Sequence, residues 1–331
     1  MKVLVTGGTG FVGSHLVRLL MRKGLDVTCL VRPTSRLDNL ESLPINLQHG
    51  DLTNFPSLRK AVKGCRLVYH CAADYRLWCA NPDEMMRTNV EGTSNIMRAC
   101  FEEGVERVVY TSTVGCLGRY TIGVPVDEVA PTRLEDMKSP YKRSKFLAER
   151  NVLGWAGQGL PVVIVNPSTP VGEMDIKPTP TGRMIVVFLR EKMFGYVDTG
   201  MNLIDVRDVA EGHWLASQKG RLGEKYILGH VNLTLKEIFD RLAKISGLPS
   251  PRVSIPYWVA AGYAHAENLW TGTLLHQEPT APLEGVRMSR WKMWFDSSKA
   301  VSELGLPQNP IENALERAVR WFYEKGYTSP H

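Results

Sequence analysis

The chain has 331 residues, 44% hydrophobic and 22% charged, which suits one large domain or two and excludes a disordered or collagen-like chain. Forty Lys and Arg against 34 Asp and Glu leave a formal charge of +6, with no block of five like charges. Clustered basic recognition of nucleic acid is therefore not expected. The cysteines, Cys29, Cys65, Cys71, Cys79, Cys100 and Cys116, form no C-x-x-C pair and read as reduced thiols packed as small hydrophobes. Met1-Lys2 runs straight into V-L-V-T-G-G, too short an apolar stretch for a signal peptide. The most apolar later stretch, Trp258 to Trp270, is shorter than a membrane span needs and contains His265, Glu267 and Asn268. A cytoplasmic protein with no integral membrane segment is expected, although Trp258, Tyr263 and Trp270 could form an exposed apolar face.

In chain order, Val3 to Thr6 reads as a strand and Phe11 to Lys23 as a helix ended by Gly24. Strands follow at Asp26 to Val31 and Ile45 to His49, then a helix at Phe55 to Val62 and a strand at Leu67 to Cys71. A long helix is predicted over Asp83 to Glu103, a strand over Val105 to Thr111, a helix over Tyr141 to Trp155 and a strand over Val162 to Val165. Such alternation predicts βαβ units and a doubly wound parallel sheet covered on both faces. Four prolines between Asn166 and Gly182 discourage regular structure there. Thr234 and Glu237 form a capping box for a helix to about Ser246, and Ser297 and Pro310 open two shorter helices. The predicted organisation is a nucleotide-type domain over 1–166, with 202–218 returning to it. A smaller mixed α/β C-terminal cap takes 167–201 and 219–331.

The first strand leads into G-x-x-G-x-x-G at Gly7, Gly10 and Gly13, with Phe11 and Val12 inside the motif, and then into a helix. That strand–glycine loop–helix context is what a dinucleotide fingerprint requires, because the free N–H groups and positive end of the helix face a pyrophosphate. At the end of the second strand an NAD site would carry Asp or Glu for the ribose 2′-hydroxyl. This chain has Arg32 and Arg36 instead, which suit the 2′-phosphate of NADP. Tyr141 and Lys145 are four residues apart, on one helix face. A nearby ammonium is expected to lower the phenol's pKa, so the pair could pass a proton to or from a substrate oxygen. Thr111, Ser112 and Thr113 end a buried strand, where open α/β sheets place ligands.

With these motifs, G-D-L at Gly50 to Leu52, H-C-A-A at His70 to Ala73, N-V-E-G-T at Asn89 to Thr93 and D-V-R-D-V-A at Asp205 to Ala210, the chain resembles the extended short-chain dehydrogenase/reductase superfamily over nearly its whole length. A-A-D-Y-R-L-W, V-N-P-S-T-P-V-G and D-I-K-P-T-P-T-G make it similar to bacterial hopanoid-associated sugar epimerases and dihydroflavonol 4-reductases. The resemblance implies a Rossmann-type fold with Tyr141 as general acid/base, and Lys145 holding the nicotinamide ribose. Thr113 would be the catalytic hydroxyl, with Ser112 the neighbouring candidate; the family often has Ser at this place. It further implies Asp51 and Leu52 at the adenine, Ala72 and Ala73 at the ribose side, Thr111 among the cofactor contacts and Pro167 at the nicotinamide. Asn89 would brace the Tyr141 helix, while Asp74, Tyr75 and Asn166 would border a small-molecule substrate. Related enzymes pair through the helices around 83–103 and 141–155, so a homodimer is implied as well. The leading expectation is an NADP-dependent reductase. A nucleotide-sugar epimerase with retained NAD is the alternative, and an intact Tyr141 and Lys145 argue against a non-catalytic cofactor sensor.

Overall fold

The structure, a computed structural model, describes all residues except 119–122, 275–278, 280–282 and 330–331. Strands β1 (Lys2–Thr6), β2 (Asp26–Val31), β3 (Asn46–His49), β4 (Leu67–His70), β5 (Arg107–Thr111) and β6 (Val162–Pro167) lie in one parallel sheet. After β7 (Thr169–Val171), β8 (Gly195–Val197) and β9 (Gly200–Asp205), the chain returns to this sheet as β10 (Lys225–Leu228). The strand order is β10-β6-β5-β4-β1-β2-β3.

Alternation within the buried strands feeds two cores. Val3 and Val5 face α1 (Phe11–Arg22), and on the same side of the sheet Val163 and Val165 face α7 (Val206–Lys219). Leu4, Val68, Val108 and Ile164 face α2 (Phe55–Val62), α4 (Gly92–Glu102) and α5 (Pro140–Gly157). Between α2 and α4 stands the short α3 (Pro82–Met86). The long helix predicted over 83–103 is therefore interrupted. A π-turn at Arg87–Glu91 separates α3 from α4 and directs Asn89 inward, where it is buried.

The cap is built on β9, which pairs with β7, β11 (Val231–Thr234) and β13 (Lys292–Met293). Helices α6 (Pro180–Leu189), α8 (Leu235–Ser246) and α11 (Ile311–Glu324) cover it, with Phe188, Phe239, Leu315 and Phe322 in the core. The predicted capping box at Thr234 and Glu237 opens α8. The proline-rich stretch is more regular than expected. Pro170 sits in the short β7, and Pro180 occupies the first turn of α6, where its missing N–H costs nothing. An arm made of β12 (Val253–Ile255), α9 (Tyr257–Glu267) and α10 (Leu283–Met288) completes the cap; β12 pairs with β8.

Two assignments made from sequence need correction. Residues 225–228 were placed in the cap, yet β10 extends the large sheet in register with β6, from Lys225 beside Ile164 to Leu228 beside Pro167. Its apolar Tyr226, Ile227 and Leu228 are fully buried there. Of the segment 202–218, α7 (Val206–Lys219) packs on the first core beside α1, and Ile204 reaches that core too, although β9 pairs within the cap sheet.

The loop between β1 and α1 crosses itself closely. A Cβ on Gly13 would stand 2.2 Å from the Gly7 carbonyl oxygen, and that oxygen is backbone held by the turn. Gly13→Ala should therefore lower unfolding stability by about 1–3 kcal/mol, the usual cost of overpacking a tight site. An unchanged urea midpoint would show that the crossing has slack.

Candidate active site

The turn after β1 needs glycine at its first position. Gly7 has φ 71°, and a Cβ there would lie 2.6 Å from the Ala72 nitrogen at the end of β4. Gly10 is the extended N-cap of α1 without a side-chain hydrogen bond, and the first turn, which includes Phe11 and Val12, has no acidic residue. The positive end of α1 is thus left for an external anion, which fits a dinucleotide pyrophosphate.

At the β2 tip the two arginines behave differently. Arg36 is committed to Asp38 through bonds of 2.8 and 3.0 Å. Arg32 is exposed, and its backbone N–H donates to Ser35 Oγ. Its charge reaches Asp51: burial opposes ionisation of that carboxyl, yet hydrogen bonds from Thr53 and the Arg32 charge hold it below the usual range. Leu52 is buried beside Gly92. Across the loop, Ala72 N donates to Thr6 Oγ1, which also contacts His70 Nδ1 at 2.7 Å. Burial pushes His70 down to about 3, so it is a neutral bridge between Thr6 and Thr93.

Tyr141, Lys145 and Thr113 gather at the carboxyl ends of β5 and β6. Ser139 caps α5 through the Lys142 N–H, and Pro140 starts it, so Tyr141 lies in the first turn. Thr113 Oγ1 accepts the Gly115 N–H at 3.1 Å and lies beside the Tyr141 phenol. Lys145 Nζ donates to the Thr111 carbonyl at 2.8 Å and to Tyr110 Oη at 3.2 Å. The expectation that Lys145 lowers the Tyr141 pKa is corrected here. Burial pushes the phenol well above its usual value, with Cys116 and Asp74 adding to the rise. Burial also pushes the Lys145 ammonium down, to about 8. The Thr111 hydroxyl stands 2.8 Å from His213 Nε2 and 3.2 Å from Cys71 Sγ.

Ser112 and Asn166 do not point the way the sequence suggested. Ser112 Oγ donates to Glu149 Oε2 at 2.5 Å, on the side of the strand opposite Thr113. Asn166 is fully buried and faces no substrate space: its amide donates to Glu149 Oε2 at 2.9 Å and to the Thr113 carbonyl at 3.1 Å. Glu149, which sequence reasoning missed, is 2% exposed and pairs with Lys225 of β10 at 2.6 Å. Its signal was present in the spacing, because Glu149 repeats the Tyr141–Lys145 interval on the buried face of α5. The four groups form one support beneath Thr113.

On the open side, the Asp74 carboxylate pairs with Arg76, and the exposed Tyr75 reaches the Lys177 carbonyl at 3.4 Å. Asn89 grips both backbone groups of Asp74 and donates to Ser144 Oγ of α5 at 2.9 Å. It ties the loop after β4 to the helix of Tyr141, as the resemblance implied. Ala73 is half-buried in this loop, and Pro167 is buried at the end of β6.

A sequence profile described as the NAD dependent epimerase/dehydratase family matches residues 3–229. The chain belongs to that family. Within it, the chain is 48% identical over 327 residues to a Synechocystis protein named "Putative dihydroflavonol 4-reductase", covering 98% of this chain and 95% of that one. It is 33% identical to sterol demethylase protein B of Methylococcus capsulatus, over 98% and 99% of the two chains. Among solved structures, gox2253 aligns with a TM-score of 0.89 at 43% identity over 99% of both chains. A nucleoside-diphosphate-sugar epimerase of Pseudomonas aeruginosa aligns at 0.83 and 28%, again over 99% of both. This epimerase/dehydratase family works with nicotinamide dinucleotides, and the uncapped α1 terminus fits one.

The support beneath Thr113 is testable by stability. Lys225→Met would leave Glu149 buried without its cation. The loss should fall at the lower end of the ~3–5 kcal/mol that breaking a buried pair costs, since Lys225 keeps 24% exposure. The double variant Glu149→Gln/Lys225→Met should recover part of it. A single variant as stable as the parent would mean that the Lys225 cation contributes nothing to holding Glu149 in place.

Proposed function

We propose that the protein is an NADP-dependent reductase that delivers a hydride and a proton to a substrate carbonyl. The observation that carries this reading is the half-buried Tyr141 phenol beside Thr113, at the carboxyl end of β5 and one helical turn from Lys145. A tyrosine phenol is protonated at neutral pH, so in the reductive direction Tyr141 is the proton donor. In this reading the carbonyl oxygen sits between Tyr141 Oη and Thr113 Oγ1. The new alcohol takes its oxygen-bound proton from Tyr141. The bound nicotinamide supplies the hydride.

The remaining roles follow from placement. The α1 terminus at Gly10, Phe11 and Val12 would hold the pyrophosphate. Asp51 and Leu52 would border the adenine, and Ala72, Ala73, Thr111 and Pro167 the ribose and nicotinamide. Lys145 would serve the nicotinamide ribose from its position on the Thr111 carbonyl. Arg32 supports NADP over NAD because no carboxylate stands at the β2 tip, whereas Arg36 is already engaged by Asp38. Asp74 and Tyr75 would border the substrate. The names of the Synechocystis and Methylococcus relatives support a ketone on a polycyclic, lipophilic skeleton.

NADPH should therefore bind more tightly than NADH, and Arg32→Asp should reverse the order by about tenfold or more, the scale of charge-assisted hydrogen bonds. Calorimetric titration of the dialysed chain reads this directly. Protein that retains one NAD through dialysis and interconverts sugar epimers without added cofactor would replace the reductase by an epimerase.

Tyr141→Phe should keep fold and cofactor affinity while turnover of any reducible ketone drops by about 10²–10⁴-fold. Undiminished turnover would remove Tyr141 from the chemistry.

A further inference from the structure

The α9 arm reverses the usual pattern of a surface helix. The residues turned inward are Tyr257, Ala260, Ala261 and Ala264, whereas the outward face carries the larger apolar groups. Trp258 is 75% exposed, Tyr263 59% and Trp270 65%, with Val259 and Leu269 exposed between them. These positions fall on one face at helical spacing. From Pro256 to Ala266 the chain has no Asp, Glu, Lys or Arg. An apolar face of this kind on a water-exposed helix asks for a partner.

We propose that this face docks on an anionic lipid surface. Three observations select that occupant. Tryptophan stands at both ends of the face with tyrosine between them, the side chains that settle at the boundary of headgroups and acyl chains. Charge near the face is predominantly basic: among the described residues of 252–292 the exposed ionisable side chains are Arg252, His265, Arg287, Arg290 and Lys292, of which Lys292 pairs with the exposed Asp198 at 3.8 Å. The acidic groups described there are not exposed, and Glu284 pairs with Lys142 at 3.4 Å. Lastly, the face is about 18 Å long and one helix wide, on the order of 200 Å², far below the ~800 Å² per partner of a stable protein interface.

The arm also borders the active site. Glu284 holds Lys142, the neighbour of Tyr141, and the Trp78 indole nitrogen lies 3.2 Å from where a Cβ on Gly272 would be. Docking would therefore set the substrate side of the molecule against the bilayer, a natural source of a lipophilic ketone. That last link rests on the function proposed above; the docking itself does not.

The test is flotation of the full chain with vesicles of phosphatidylcholine alone or mixed with phosphatidylglycerol. The chain should float with the mixed vesicles. Trp258→Ser/Trp270→Ser, which touches only exposed positions, should bind about tenfold or more weakly with an unchanged urea midpoint. Arg252→Glu/Arg290→Glu should lose the preference for the anionic lipid. Absence of flotation, equal binding by the tryptophan variant, or a dimer in light scattering that this variant abolishes would each overturn the proposal. Because no step reads catalysis or cofactor, failure here would leave the reductase reading standing, and inactivity of the enzyme would leave docking standing.

Discussion

Burial of charge along one face of α5 is the constraint around which the site is arranged. Lys145 and Glu149 both face the carboxyl ends of β5 and β6, where neither can be hydrated. A charge in such a place survives only with partners that leave little freedom of position. Lys145 finds the Thr111 carbonyl and Tyr110; Glu149 finds Ser112, Asn166 and Lys225. These bonds fix α5 against the sheet, and with it Tyr141 one turn before Lys145. The same desolvation raises the phenol and lowers the lysine, to about 8. Electrostatic tuning and mechanical placement therefore have one cause.

The phosphate loop was legible because each of its glycines answers to a local reason that the sequence displays: a turn, an open helix end, a close crossing. The doubly wound parallel sheet was legible for a similar reason, since doubly buried strands read as unbroken apolar runs. Tyr141 and Lys145 were legible as a pair on one face of a helix. What spacing could not say was where the ammonium would point. Its direction is set by a carbonyl on β5, a contact between elements 34 residues apart.

Other misreadings share that origin. Ser112 and Thr113 are adjacent hydroxyls, and strand alternation requires that only one face the open side. The sequence alone does not reveal which one, because both faces of β5 are covered. Asn166 looked free to face a ligand because its acceptor, Glu149, lies on another element. The strand 225–228 is four residues long and lies between two lengths of cap; nothing local distinguishes it from a cap strand. Burial against β6 and the pairing of its first residue with Glu149 decide its place. The π-turn that delivers Asn89 is likewise invisible to a helical period, which continues smoothly through it.

The return of β10 to the large sheet also bears on how such a protein can be recombined. The cap is not a terminal module. It is threaded in two lengths, one inserted between β6 and α7 and the other following β10, while the strand between them supplies Lys225 to the support under Thr113. A single crossover that exchanged everything after β6 would carry that lysine away from the glutamate it was matched to. Grafting a new substrate cap from a relative thus calls for three junctions, one after β6 and one on either side of the α7–β10 segment. Specificity in this architecture is interchangeable only when the intervening piece of the nucleotide domain stays at home.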